Sequence, residues 1–126
     1  MNRRAHIQPL GGPPRFNRRD LGAKLRAALR GRAQEAFLFG SYASGTATSL
    51  SDVDLLVIAD SARPFVDRFR DFWDIVQNFA PIDLIVYTPS EWRACAKSKG
   101  SFWGHARKTW VPLLEHKPAR YRRRLS

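Results

Sequence analysis

One cysteine, Cys95, allows no internal disulfide and no metal cluster of paired thiols. It is not taken as a catalytic nucleophile. Long apolar runs are missing too. The longest, Leu55 to Ala59, falls far short of the roughly 20 residues that a membrane-spanning helix needs. Arg3 and Arg4 are followed by Gln8, Gly11, Gly12, Pro13 and Pro14, with no apolar stretch such as a signal peptide carries. No internal repeat is present. The expectation is a soluble, cytoplasmic protein with no membrane partner. Its 126 residues make one domain's worth, and 44% hydrophobic and 12% aromatic residues are enough to fill a core.

Acidic residues are scarce, 11 against 22 Lys and Arg, and they are segregated. Residues 1–35 hold nine basic and two acidic side chains, residues 36–92 three and eight, and residues 93–126 ten and one. An acidic middle therefore lies between basic arms. Such arms suit RNA, the acidic face of a protein partner or a substrate triphosphate, and they also serve as a solubilising surface.

Residues 1–19 show no apolar periodicity and read as a flexible basic arm; residues 116–126 read as a basic tail. Between them, residues 20–115 form the domain. Leu21, Leu25 and Leu29 recur four apart behind Asp20, which predicts a helix from Asp20 to Arg30 ended by Gly31. Ala36 to Phe39 is a short strand. Gly40 to Ser51, almost wholly Gly, Ser, Thr and Ala, reads as a loop. Asp52 to Ile58 is a strand with apolar residues on both faces. Phe65, Phe69, Phe72, Val76 and Phe79 predict one helix over Pro64 to Phe79 with its aromatics in the core. Ile82 to Tyr87 is another strand. A helix starts at Thr88-Pro89-Ser90-Glu91 and runs to about Lys99, and Phe102 to Arg107 adds a further turn. Thr109 to Leu114 is a last strand, confined to an edge by Pro112.

The chemistry lies in Gly40-Ser41, followed ten residues later by Asp52-Val53-Asp54, with Asp83 opening a later strand. Residues i and i+2 of a strand share a face, so Asp52 and Asp54 present two carboxylates side by side. Such a pair repels itself unless a cation intervenes. Oxygen ligands without nearby His or Cys suit Mg²⁺ or Mn²⁺ rather than Zn²⁺. Asp83, at the head of an apolar strand, also needs a partner or a metal. Gly40 lets the backbone approach a phosphate closely, and the Ser41 hydroxyl and nearby amides can donate to it.

Other motifs fail. Gly40 and Gly45 have P-loop spacing, but Thr46 stands where that motif requires Lys. Neither Ser41 nor Ser44 has the flanking glycines of a nucleophile elbow. His6, His105 and His116 are too dispersed to form a metal helix and read as surface or interface residues.

The segments Phe-Gly-Ser-Tyr-Ala-Ser-Gly (39–45), Ser-Asp-Val-Asp-Leu-Leu-Val (51–57) and Ile-Asp-Leu-Ile-Val (82–86) resemble the motifs of the DNA polymerase beta-like nucleotidyltransferase superfamily. In size the chain is similar to its minimal nucleotidyltransferase (MNT) group, and Phe102-Trp103 and Trp110 to Leu114 resemble that group's C-terminal elements. Ser44 departs from the pattern, since many members carry Arg there.

The resemblance implies an α/β (α+β) minimal nucleotidyltransferase fold, a mixed sheet of about four strands flanked by helices. It implies ATP as substrate and two Mg²⁺ ions held by Asp52, Asp54 and Asp83, with Gly40 and Ser41 on the phosphates. It further implies transfer of AMP to a hydroxyl of a protein partner, as the antitoxin of a HEPN-type ribonuclease toxin. Two alternatives compete: a nucleotidyltransferase acting on a small molecule or an RNA end, and a non-catalytic antitoxin or RNA-binding protein.

Overall fold

The computed structural model describes residues 11–96 and 102–115. Its elements run α1 (Arg18–Leu29), β1 (Glu35–Phe39), α2 (Gly40–Ser44), β2 (Val53–Ile58), a 3-10 helix (Phe65–Phe72), α3 (Trp73–Phe79), β3 (Ile82–Tyr87), α4 (Pro89–Ala96), α5 (Phe102–Ala106) and β4 (Val111–Leu114). The strands form one sheet in the order β3-β2-β1-β4. β1 runs antiparallel to β2 and β4, and β2 runs parallel to β3, so the sheet is mixed as expected. Pro112 does lie on an edge strand, opposite Phe37. Among the described residues, no helix is long and apolar enough to cross a membrane.

Alternation along the strands separates two cores. Leu38, Val53, Leu55 and Val57 face Leu21, Leu25 and Leu29 of α1 and Phe72, Ile75 and Phe79 of the crossover, a mainly aliphatic layer with three buried rings, Tyr42, Phe72 and Phe79. On the opposite face Phe37, Phe39, Leu56 and Ile58 meet Trp92 and Trp103, with Tyr87 and Trp110 packed beside them. Here large rings fill the space beneath two short helices, with Phe37 stacked on Trp110 at 4.0 Å and Trp92 edge-on to Trp103. Each fully buried Leu or Phe contributes about 1.5–3 kcal/mol of transfer free energy.

Four expectations change. α1 begins at Arg18, not Asp20, because the Asn17 side chain accepts the amides of Arg19 and Asp20 and so caps the helix; Asp20 lies in the first turn. The stretch read as loop from Gly40 contains α2. Burial of Tyr42 and Ala43 overrides the weak helix propensity of Gly and Ser, and Gly45 ends the turn at φ +84°.

The single helix expected over 64–79 is instead a 3-10 helix followed by α3. The 3-10 segment buries Arg68 and Phe72 and leaves Phe65 48% exposed, so not all of its aromatics are core. Last, residues 11–17, expected in the flexible arm, lie against the domain. Gly12 exchanges hydrogen bonds with Ser49, Arg15 donates to the carbonyl oxygens of Ala80 and Ser51, and Phe16 packs on Tyr42 and Phe79. The rest of the arm, the 116–126 tail and the end of the helix expected to reach Lys99 lie outside the described residues.

Candidate active site

β2 and β3 pair in register from Val53 opposite Ile82, which puts Asp54 directly across from Asp83 at the start of both strands. Asp52 precedes Asp54 by two residues, while Val53 between them is fully buried. Asp54 is half-buried, and Asp52 and Asp83 are exposed. Burial does not force a partner on Asp83, as its apolar strand suggested, because β3 is the sheet's other edge. What constrains it is its neighbour. Burial first, then the charges of Asp83 and Asp52, push the Asp54 carboxyl up to about 6.

Among the described residues, no Lys, Arg or His pairs with any of these three carboxylates. Among the described residues, no three acidic, His or Cys side chains are gathered closely enough to hold a metal ion by themselves. Mg²⁺ dehydrates reluctantly, keeps several waters and binds through one or two carboxylates plus substrate phosphates rather than in an all-protein cage. The donor set, all carboxylate oxygens with uncompensated repulsion at Asp54, fits such an ion.

The turn after β1 is shaped by the same aspartate. Phe39, the last residue of β1, pairs with Asp54, so the next residue lies over its carboxylate. A Cβ on Gly40 would collide with the Asp54 Oδ2 and come within 3.0 Å of its Cγ. Gly40 also stands at φ +71°, where L side chains are strained. Glycine is therefore required twice over. Ser41 follows at the start of α2, whose N-terminus no side chain caps. Ser44 Oγ bonds within the turn, to Ser41 O at 3.3 Å and Thr46 Oγ1 at 2.9 Å. A guanidinium reaches the turn from elsewhere: Arg18 Nη1 donates to Ala43 O at 2.9 Å.

A cleft of about 570 Å³ opens here, with Gly40, Asp54 and Asp83 on one side and Phe102, His105 and Thr109 on the other. Asp52 and Ser41 do not line it; they lie on the flank of the same strand ends. A second hollow of about 500 Å³ lies among Arg63, Phe69, Arg70 and Trp73. Its lining is two arginines and two rings, whereas the first cleft is lined by two aspartates. His105, read from sequence as a surface residue, is exposed yet forms part of the cleft wall. No spacing in the sequence signals that role. His6 and His116 lie outside the described residues. Burial raises the Cys95 thiol, which suits an inert side chain.

Sequence reasoning also missed the buried Arg68. Its guanidinium donates to Glu91 through Nη1 at 2.5 Å and Nη2 at 3.1 Å, and to the Val86 and Arg63 carbonyl oxygens. Glu91 in turn accepts the Thr88 amide while the Glu91 amide donates to Thr88 Oγ1, a capping box that starts α4.

Comparison with known proteins agrees with this geometry. Two proteins of Methanocaldococcus jannaschii contain similar segments. Putative protein adenylyltransferase MJ1305 is 56% identical over 43 residues, 33% of this chain and 29% of that protein. Putative protein adenylyltransferase MJ0604 is 47% identical over 36 residues, 29% of this chain and 36% of that protein. The matches thus span about a third of each relative's length. The model of the nucleotidyltransferase domain family matches residues 23–102, which takes in the Gly40 turn, all three aspartates and both strands that carry them. The chain belongs to the nucleotidyltransferase domain family.

Proposed function

We propose that this protein transfers AMP from ATP to a hydroxyl group of a protein partner, as the antitoxin of a HEPN-type ribonuclease toxin in the cytoplasm. The observation that carries the chemistry is the register of Asp54 against Asp83 beneath a turn that only glycine can make at position 40. Protein as acceptor and AMP as the transferred group are supported by the two archaeal relatives, each named a putative protein adenylyltransferase. The HEPN-type partner rests on resemblance to the MNT group, together with basic ends on a small domain.

In this reading Gly40 and Ser41 hold the β- and γ-phosphates through the backbone and the hydroxyl. Asp52, Asp54 and Asp83 hold two Mg²⁺ ions, which supply charge neutralisation of the triphosphate and activation of the attacking oxygen. Asp83, exposed at the strand edge, accepts the proton of the acceptor hydroxyl. The acceptor oxygen forms a bond to the α-phosphorus as the α–β bridging bond breaks, and pyrophosphate leaves with that electron pair.

The test is incubation of the protein with Mg²⁺ and α-labelled ATP, alone and with whatever protein co-purifies, followed by intact-mass analysis. The expected result is a gain of AMP units on the partner that Asp54→Asn abolishes. One observation favours a second reading, a binding-only antitoxin. Ser44 stands where many relatives of this kind carry Arg, and its hydroxyl is spent within the turn. Tight ATP binding with no transfer to any co-purifying protein would select that reading.

A further inference from the structure

The cleft beside the carboxylates has two unlike walls. One is acid and backbone: Gly40, Asp54 and Asp83. The other is α5 and the turn after it. Phe102, His105, Ala106 and Thr109 follow at i, i+3, i+4 and i+7, so one face of this segment looks into the cleft, while Trp103 turns away and is buried against Phe39 and Trp92.

Phe102 is the unusual member. It is 61% exposed although it adjoins the aromatic core. It makes T-shaped contacts with Phe39 at 5.7 Å and with Trp103 at 4.8 Å, with interplanar angles of 85° and 84°. Two buried rings thus fix its orientation while much of its surface stays open to the cleft. A ring held this way, with most of its surface exposed, can take a flat partner, since offset stacking on it adds to burial without reorganising the core.

We infer that Phe102 is the stacking platform for the nucleobase of the bound nucleoside triphosphate, with His105 and Thr109 offering polar contacts on the same face. The inference rests on the function proposed above and adds a specificity residue to it. A nucleoside triphosphate has a phosphate chain at one end and a flat ring at the other, and the cleft offers the Gly40 turn on one wall and an exposed ring on the other. With the phosphates on the Gly40 turn, the base lies toward α5. Stacking reads ring area more than hydrogen-bond pattern, so purine nucleotides bind better than pyrimidine nucleotides, and adenine and guanine differ only through His105 and Thr109.

The experiment is calorimetric titration of the full chain with Mg²⁺ and either α,β-methylene-ATP or inorganic tripolyphosphate. Phe102→Ala is expected to weaken the ATP analogue by about tenfold or more, leave tripolyphosphate unchanged, and be rescued by Phe102→Trp. Unchanged affinity for the analogue would overturn the inference and assign the α5 wall to the acceptor instead. Equal weakening of both ligands would overturn it too, since Phe102 would then act through the fold. If the wild-type chain binds neither ligand, the nucleotide reading itself falls, whereas loss of analogue binding in Asp54→Asn alone would retain that reading without this platform.

Discussion

Two carboxylates near opposite ends of β3 are treated in opposite ways. Glu91, just beyond its C-terminal end, is held down at about 2 by the Arg68 guanidinium and by the Thr88 amide. Asp54, across from the strand's N-terminal end, is pushed up to about 6 by burial and by two like charges. The first is satisfied wholly within the protein and joins the crossover to α4. The second is left in conflict, with Gly40 above it so that no side chain displaces its carboxylate. The fold neutralises one acid with a buried arginine and gathers three others with no cation beside them among the described residues.

The sharpest break of this comparison is Asp54→Asn. On the proposed mechanism, transfer activity should fall by on the order of a thousandfold or more, because the side chain assigned to align ion and triphosphate loses its charge. Steady-state rates at saturating Mg²⁺ check this, with circular dichroism confirming the retained fold.

Next comes the satisfied pair, where the two partners should differ. Glu91→Ala strands a guanidinium that is 7% exposed and removes half of the α4 capping box. Breaking such a pair costs up to about 3–5 kcal/mol when both partners are buried, and the 41% exposure of Glu91 lowers the expectation to about 2–3 kcal/mol. Arg68→Met instead fills the same space with apolar atoms and leaves a carboxylate that water can reach, so it should cost about 1 kcal/mol or less. Urea denaturation of both variants decides it; equal losses would mean that the Arg68 carbonyl contacts, not its charge, hold the crossover.

The two acids also differ in how they were legible. The acidic site could be read because strand period and glycine chemistry leave local marks: Asp52 and Asp54 two apart, and Gly40 before Ser41. Asp83 could be placed beside them only by assuming that its strand neighbours β2, which the register bears out. Arg68 and Glu91 lie 23 residues apart and share no periodicity, so nothing local announces the pair. α2 was hidden for a related reason, since burial of Tyr42, not helix propensity, makes that turn. The α5 wall was visible as an element, but which of its faces meets the cleft depends on how Trp103 packs.

The pH dependence of stability separates the acids further. Glu91 has a depressed value in the folded state, so its contribution is present above about 4.5 and is lost as pH falls toward 2. Asp54 works with the opposite sign. Its raised value means that the folded chain holds the proton more tightly than the unfolded one, so stability declines as pH rises from about 4 to about 6 and then levels off. Asp54→Asn should remove that decline and stabilise the metal-free protein above pH 6 by about 1 kcal/mol, after discounting for solvent around a half-exposed group. Added Mg²⁺ should raise the wild-type melting temperature at pH 7.5, less so at pH 5, and not at all in this variant. A wild-type melting temperature insensitive to Mg²⁺ at both pH values would count against a metal at these carboxylates.

Tyr42 supplies the control with the smallest effect. Its ring is buried in the aliphatic core, and its hydroxyl is buried with no hydrogen-bond partner among the described residues. Like Asp54 it is a polar group left unsatisfied, but it does not line the cleft. Tyr42→Phe should therefore stabilise the fold by up to about 1 kcal/mol, since an unmatched buried hydroxyl costs more than it returns. It should leave transfer and ATP affinity unchanged. If conflict at Asp54 serves binding, stability gained there must come with lost activity, while stability gained at Tyr42 comes without that loss. Melting curves and transfer rates for the two variants, measured side by side, would distinguish a functional conflict from an ordinary imperfection of packing.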